Sequence, residues 1–437
     1  MQPQVTPPRP SPLKVSVVGA GLGGLTAALG LRRNRHSVQI FEASQIKTET
    51  AAGLGIQTNP LRVLRAFGFS KDNLECNANE GVTVFDAETG LGSAHPWSGH
   101  KNVHDPELRS VMCHRSDLHD ELKRLAMGEG RGLPVQLHLD SKVVACEPES
   151  GCITLANGET IAADLVIAAD GLHSNKKQST IRTSIVGYPV KAPLSGYTCF
   201  RFLLDASSLP DIGPDLAWLT DSGVPGPRAI FWKTKSFKLL FVYPVRNGAL
   251  INVAAFFEDA DQLESGKPGS ATREEVLEIF RDAQPKFLRL MDLPLVGPIA
   301  KWPLRAVPVL PTWIRGRAAL LGDAAHGTLP LLGQGAAMAI EDAGVLSALL
   351  PFGTKAEDIP ARLEAYQQLR KARGEFINIE SIEQATVPQK RGFFSRFAIL
   401  TYIDPAAEMQ ALLFEYDAIQ VGQDYLKEYF NGDCDFE

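Results

Sequence analysis

Four short runs, apolar at most positions, punctuate the chain, and each ends on glycine or an acid. Lys14 to Val18 is β-branched and stops at Gly19. A stretch with helical spacing, Gly23 to Arg33, follows, and then a second run, Ser37 to Phe41, with Glu42 at its end. This strand–turn–helix–strand unit has the size of a βαβ element. Ala163 to Ala169 is closed by Asp170-Gly171, and Ala318 to Leu321 by Gly322-Asp323. Between Ser37–Phe41 and Ala163–Ala169 the pattern predicts a helix at Arg115 to Leu125 and a hairpin from Gln136–Pro148 and Gly151–Leu155.

From Ser195 to Phe257 the texture changes. Tyr197–Leu204, Arg228–Lys233, Phe237–Val245 and Leu250–Phe257 read as strands, broken at Pro225-Gly226 and Asn247-Gly248. An antiparallel sheet inserted into an α/β domain is the natural reading. Helices are predicted at Thr272–Ala283 and Ala336–Leu350, and most of 359–430 is helical in pattern. The expected organisation is a Pro-rich tail at 1–13, a discontinuous nucleotide domain from 14–75, 105–185 and 300–375, and a substrate domain from 76–104 and 186–299. A helical region at 376–437 has no assigned partner; it either packs on the substrate domain or forms a dimer contact.

Composition narrows the class without naming it. The 437 residues are 44% hydrophobic and 22% charged, which excludes disorder and coiled coil. The six cysteines show no paired spacing, so reduced thiols in a cytoplasmic protein are expected rather than a disulfide framework. With a net charge of −6 and no basic block, a nucleic-acid partner is not expected. The apolar stretch Val15–Leu31 holds five glycines and is too broken to span a membrane. His95, His100 and His104 lack an acid or cysteine to complete a metal set, so no metal is expected.

Two motifs carry chemistry. In Gly19-Ala20-Gly21-Leu22-Gly23-Gly24 the glycines permit a tight turn and close approach of a pyrophosphate to the helix N-terminus. Glu42, 18 residues beyond Gly24, is placed to bond both hydroxyls of an adenosine ribose and would repel a 2′-phosphate. The later Gly322-Asp323-Ala324-Ala325-His326 continues through Pro330 and Gly333-Gln334-Gly335 to Ile340-Glu341-Asp342-Ala343. It places an acid at a strand end and a small-residue loop ahead of a helix start.

In that order and spacing, these words resemble the single-component FAD-dependent aromatic hydroxylases, most closely the salicylate-hydroxylase-like and fungal polyketide-tailoring branch. The resemblance spans Lys14 to Arg373. It implies a discontinuous Rossmann-like FAD domain with an inserted antiparallel substrate sheet. It also implies bound FAD, NADPH or NADH as reductant, O₂, a small aromatic substrate, and hydroxylation through a C4a-hydroperoxyflavin in secondary metabolism, by a monomer or homodimer. By resemblance Gly19, Gly21 and Gly24 hold the pyrophosphate and Glu42 the ribose. Gly55 lies beside the flavin, Arg115 reaches the ribityl-phosphate side, and Asp323 bonds the ribityl chain. Gly335 and Ala336 open the helix facing the pyrimidine carbonyl, and Asp170 serves both FAD and the nicotinamide. His326 is expected to bond a backbone group. Two departures stand out. Asn175–Ser179 lengthens the segment after Asp170-Gly171, and Leu331 occupies a position often held by His, which counts against salicylate itself.

On the substrate side Arg201 is the candidate cation for a phenolate or carboxylate, unless it lies on the wet face of the sheet. Tyr243 is either a donor to substrate or a structural tyrosine. Pro330 is implied to lie over the flavin, Arg305 is a further anion candidate, and Phe231, Trp232 and Phe256 wall either the pocket or the core. The alternatives are a dearomatising hydroxylase or epoxidase of the same family, and, in another class, a flavin-free scaffold like the Rab GDP-dissociation inhibitors. The Trp-x-Trp-x-Ile-Pro word of flavin halogenases is absent.

Overall fold

The computed structural model describes residues 11–45, 53–97, 103–172, 179–209, 214–221, 223–234, 236–259, 268–386 and 411–430. The first ten residues of the tail, His100 and the Asn175–Gln178 insertion lie outside them.

The apolar runs form the centre of a six-stranded sheet in the order Ile314–Arg315, Ala318–Leu320, Leu165–Ala168, Lys14–Val18, Ser37–Phe41, Gln136–His138. The middle strands are parallel, with Val17 opposite both Ile167 and Ile40. They are buried on both faces, which is why the runs lack alternation. The Leu22–Arg33 helix ends at Asn34 with φ −77°, outside the left-handed region. Arg35 takes the positive φ of 64° instead, and the Asn34 amide donates to the carbonyls of Ser347 and Leu350 at 2.7 and 2.8 Å. Asn34 thus serves as a tie between two helices.

A second, eight-stranded sheet runs Gly269–Ala271, Leu295–Arg305, Leu194–Asp205, Leu250–Glu258, Lys238–Val245, Arg228–Phe231, Gly81–Asp86, Gly92–Pro96. The Leu295–Arg305 strand escapes the sequence pattern because Gly297, Pro298 and Pro303 interrupt it. It carries the sheet past the expected boundary at 299. The expected hairpin at 136–155 is two separate pairings. Gln136–His138 joins the nucleotide sheet in parallel with Ser37–Phe41, and only Val143–Glu147 pairs with Cys152–Leu155. A small sheet of Gly53–Ile56, Val111–His114 and Asn77–Ala78 lies where the two large sheets meet.

The two faces of the eight-stranded sheet differ. One packs Phe200, Phe202, Trp218, Phe257, Phe280 and Phe287 beneath the Arg273–Ile279 and Pro285–Leu288 helices. The other carries Cys199, Ala229, Leu239 and Phe256, with Leu331 from the nucleotide half packed against it. The long Ile359–Thr386 helix and the Ala418–Phe430 helix lie on the Gly335–Leu349 helix, which is buried almost all round. Glycine permits that proximity: a Cβ at Gly422 would meet the Ala348 methyl at 2.6 Å. Among the described residues no helix is long and apolar enough to cross a membrane.

Candidate active site

Gly19, Asp170 and Asp323 follow the carboxyl ends of three adjacent parallel strands, where open α/β sheets bind ligands. Gly19 has φ +102°, and a side chain there would collide with the Ala169 carbonyl. One at Gly24 would collide with the Gly19 carbonyl, so the turn accepts nothing but glycine at either place. Gly21 faces open space and caps the helix without a side chain, leaving the first-turn N–H groups for a ligand. Glu42 accepts from the Ala20 N–H at 2.9 Å and from the Ser44 N–H and hydroxyl at 2.9 and 2.8 Å, which fixes its carboxylate beside the glycine turn. His119 bonds the Ala20 carbonyl at 2.8 Å. That ties the turn to the Arg115–Met127 helix, whose first residue is Arg115.

Arg182, 1% exposed, joins the other two loops. Its guanidinium donates to the carbonyls of Ala324 at 2.7 Å and Gly171 at 3.1 Å, while Ser179 donates to Asp170 at 2.8 Å. Asp323 is exposed at the end of this arrangement. Behind it lies a fully buried charge network that sequence reasoning missed. His326 bonds Asp342 at 2.7 Å, and the same carboxylate accepts from the Gly322 N–H at 3.0 Å. Arg370 bridges Asp342 at 2.8 Å and Glu341 at 2.7 Å, and Arg373 meets Glu341 at 2.8 Å. His326 therefore bonds a carboxylate, not the backbone group expected for it. Burial would raise the Asp342 carboxyl, but the His326 and Arg370 charges more than offset it and hold it at about 2. The Glu341-Asp342 pair was visible as a motif; its partner Arg370 lies 28 residues further on with no local signal.

The Gly335–Leu349 helix begins at Gln334 with no side-chain cap, and nothing stands near Gly335. Gln57 reaches in from the far side: its Nε2 lies 3.3 Å from where a Gly55 Cβ would be and 3.8 Å from that of Gly333. Asn59 donates to Gln334 at 3.2 Å and to Glu341 at 2.6 Å. Gln57 Oε1 and Gln334 Nε2 are buried with no hydrogen-bond partner among the described residues.

Arg201, half-buried, lies on the sheet face of Cys199 and Phe256, against which Leu331 packs. The buried Cys199 thiol is pushed up to about 11 by burial, against the pull of the nearby Arg201 charge. Tyr243 is buried on the same face, where a side chain at Gly53 would collide with it. Burial raises its phenol well above the ordinary range despite Arg201. The neighbouring Asn252 accepts from the Gly53 N–H at 2.6 Å. Phe231 and Phe256 belong to this face, whereas Trp232 packs on Phe280 on the opposite one and bonds Asp282. Arg305 donates to the Ala192 carbonyl at the sheet edge. Pro330 is half-buried in the turn that presents Leu331 to the face. Among the described residues no group of three His, Cys, Asp or Glu is placed to hold a metal.

A nucleotide-type sheet with three loops at its strand ends, opposed by a cation-bearing antiparallel face, defines a flavoprotein oxygenase. The chain belongs to the FAD binding domain family, which matches residues 12–378. It is 38% identical to hispidin-3-hydroxylase of Neonothopanus nambi over 88% of this chain and 91% of that one. It is also 31% identical to the FAD-dependent monooxygenase cfoG of Aspergillus candidus, over 84% of each. A salicylate hydroxylase substrate complex superposes with a TM-score of 0.74 at 25% identity, covering 96% of this chain and 99% of that one. CtdE in complex with FAD and a substrate superposes at 0.79 and 23% identity, over 95% and 98%. The fold is that of the FAD-dependent hydroxylases, the chain is an FAD-dependent monooxygenase, and the scaffold alternative falls. The residues fit the cofactor: open space at Gly21 beside the uncapped helix start, an anchored Glu42, and buried amides of Gln57 and Gln334 with no hydrogen-bond partner at the later helix start.

Proposed function

We propose that the chain hydroxylates a small phenolic substrate of secondary metabolism at the expense of NAD(P)H and O₂. The placement of Arg201 on the sheet face that meets the nucleotide-half loops carries this reading. Bound FAD supplies the oxygen activation; the chain supplies position, charge and dryness. Gly19, Gly21 and Gly24 take the pyrophosphate against the uncapped helix N-terminus, and Glu42 takes the ribose. Arg115 and Asp323 hold the ribityl-phosphate stretch, with Asp170 at the approach of the reductant. Gly55 allows the ring to lie close to the backbone, and the N–H groups of Gly335 and Ala336 offset negative charge at the pyrimidine edge.

Arg201 pairs with the acidic oxygen of the substrate and favours its ionised, electron-rich form. Tyr243, with its phenol raised by burial, stays protonated and can donate to a substrate oxygen. The Pro330 carbonyl accepts a hydrogen bond from a substrate hydroxyl, and the apolar residues around Cys199 and Phe256 exclude water.

The purified protein is expected to be yellow and to oxidise NAD(P)H faster when hispidin or a related phenol is added. Arg201→Ala should keep its FAD while kcat/KM falls by roughly 100-fold, about the loss of a charge-assisted bond. Unchanged turnover in that variant would remove Arg201 from the site.

A further inference from the structure

Of the five tryptophans, Trp97, Trp218, Trp232 and Trp313 are buried, whereas Trp302 is half-buried. It stands between Pro298 and Pro303, in the strand whose prolines disguise it in the sequence. Pairing shows which way its side chain goes. Trp302 is opposite Cys199 and Ala300 is opposite Arg201, so Trp302 rises from the face that bears the arginine. Its neighbour Lys301 is opposite Phe200 and lies over that ring on the helix-covered face, as the alternation requires.

The row of Trp302 runs on through Cys199, Phe256, Leu239 and Phe231. Those four are buried, so the open aromatic surface of the row belongs to Trp302. On its outer side the Gly269–Ala271 strand pairs only as far as Lys301, and no strand flanks Trp302 there. Arg201 is its diagonal neighbour, a spacing of about 7–8 Å that long and aromatic side chains span. Two residues on, Leu304 packs with Leu329 and Leu331, and the Val307 N–H donates to the Gly327 carbonyl at 2.7 Å. Trp302 therefore lies between the arginine and the loop that holds Pro330. The other half-buried rings of the face are engaged: Tyr197 donates to the Ala385 carbonyl at 2.7 Å, and Phe241 meets Tyr243 edge-on. The Trp302 indole has neither a ring partner nor a hydrogen-bond acceptor among the described residues.

We infer that Trp302 is a substrate-contacting residue: the ring of an acid anchored at Arg201 lies against the indole, and this contact selects aromatic rings over saturated ones. The inference rests on the reading of Arg201 as the substrate's anion partner. Any ring of the right size buries apolar area on an indole, but only an aromatic one adds the attraction between ring quadrupoles. Arg201 reads charge, and Trp302 reads aromaticity.

The test uses the FAD-loaded protein and the change in flavin absorbance on titration with 4-hydroxybenzoate and its ring-saturated analogue, 4-hydroxycyclohexanecarboxylate. Both carry the same carboxylate, so the ratio of their affinities isolates the ring. The aromatic acid should bind about 5-fold tighter, the size of one aromatic pair. Trp302→Leu should remove that preference, and Trp302→Phe should keep most of it. Arg201→Ala should weaken both acids and leave the ratio in place. Equal affinities in the unaltered protein, or a ratio untouched by Trp302→Leu, would overturn the inference and keep the site. Binding of neither acid, or no effect of Arg201→Ala on both, would overturn the reading beneath it. Fluorine NMR of the FAD-loaded protein labelled with 5-fluorotryptophan gives a second readout, the Trp302 resonance being the one lost in Trp302→Phe. The aromatic acid should move that resonance and the saturated acid much less. Equal or absent shifts would overturn the inference, even where Trp302→Leu loses its FAD.

Discussion

Along the Leu194–Asp205 strand, Phe200, Phe202 and Leu204 enter an aromatic layer roofed by helices, whereas Cys199 and Arg201 enter the face turned to the nucleotide half. Adjacent residues of one strand thus belong to different regimes. The roofed face is filled with interlocking rings, Phe85, Trp218 and Phe287 among them, and stabilises the domain. The other face keeps two alanines, Ala254 and Ala300, beside Arg201 and packs less bulk there. The two-residue period of the strand itself separates the ring-filled face from the arginine-bearing one.

That contrast is open to attack on both sides. The largest effect is expected from Phe202→Ala, which empties a fully buried position in the roofed face. It should cost about 3–5 kcal/mol in urea unfolding while turnover per folded, FAD-loaded molecule holds. A comparable loss of turnover would show that the two faces are not independent, and a stability loss for Arg201→Ala of more than about 1 kcal/mol would say the same.

A smaller effect concerns the charges behind the nucleotide loops. Asp342 is held below its unfolded-state value, so its contribution is fully present above about pH 4 and fades as pH falls towards 2. It is worth about 2 kcal/mol at neutral pH. Asp342→Asn should flatten the acid limb of a stability-against-pH curve; an unchanged limb would remove the network from the acid response.

The smallest effect tests the join between the halves. Arg246, in a hairpin at φ 51°, pairs with Asp117 at 2.7 and 3.0 Å, two residues beyond Arg115. The pair is partly exposed, so Arg246→Ala should lower stability by no more than about 1 kcal/mol. Weakened FAD binding in that variant, with a normal melting curve for the apoprotein, would show that the substrate sheet helps to set the flavin-side helix.

Much of the nucleotide half was legible in the chain because its requirements are local. Gly19 and Gly24 must be glycine for steric reasons confined to one turn, and Glu42 must end the next strand. Apolar runs buried on both faces announce themselves without reference to the rest of the molecule. The eight-stranded sheet was legible only in part. Its Leu295–Arg305 strand carries two prolines and a left-handed Gly297, which locally oppose a strand and are overruled by pairing with Leu194–Asp205. Arg370 and Phe414 carry no local signal, since what they do depends on partners up to several hundred residues away.

By itself, then, the sequence determined the family, the cofactor and the turn that receives it, because backbone sterics and strand-end chemistry act over a few residues. It left Arg201 as either a pocket cation or a surface charge, and left the last sixty residues without a place. The tertiary structure puts Arg201 on the face that carries Cys199 and Phe256, and packs the Ala418–Phe430 helix on the Gly335–Leu349 helix. A side chain's face is set by its strand's register with its neighbours, and the C-terminal segment finds its place only through distant contacts such as that of Phe414 with Trp97. Register and long-range packing are properties of the folded whole, fixed by how many surfaces are buried together rather than by any one stretch of chain.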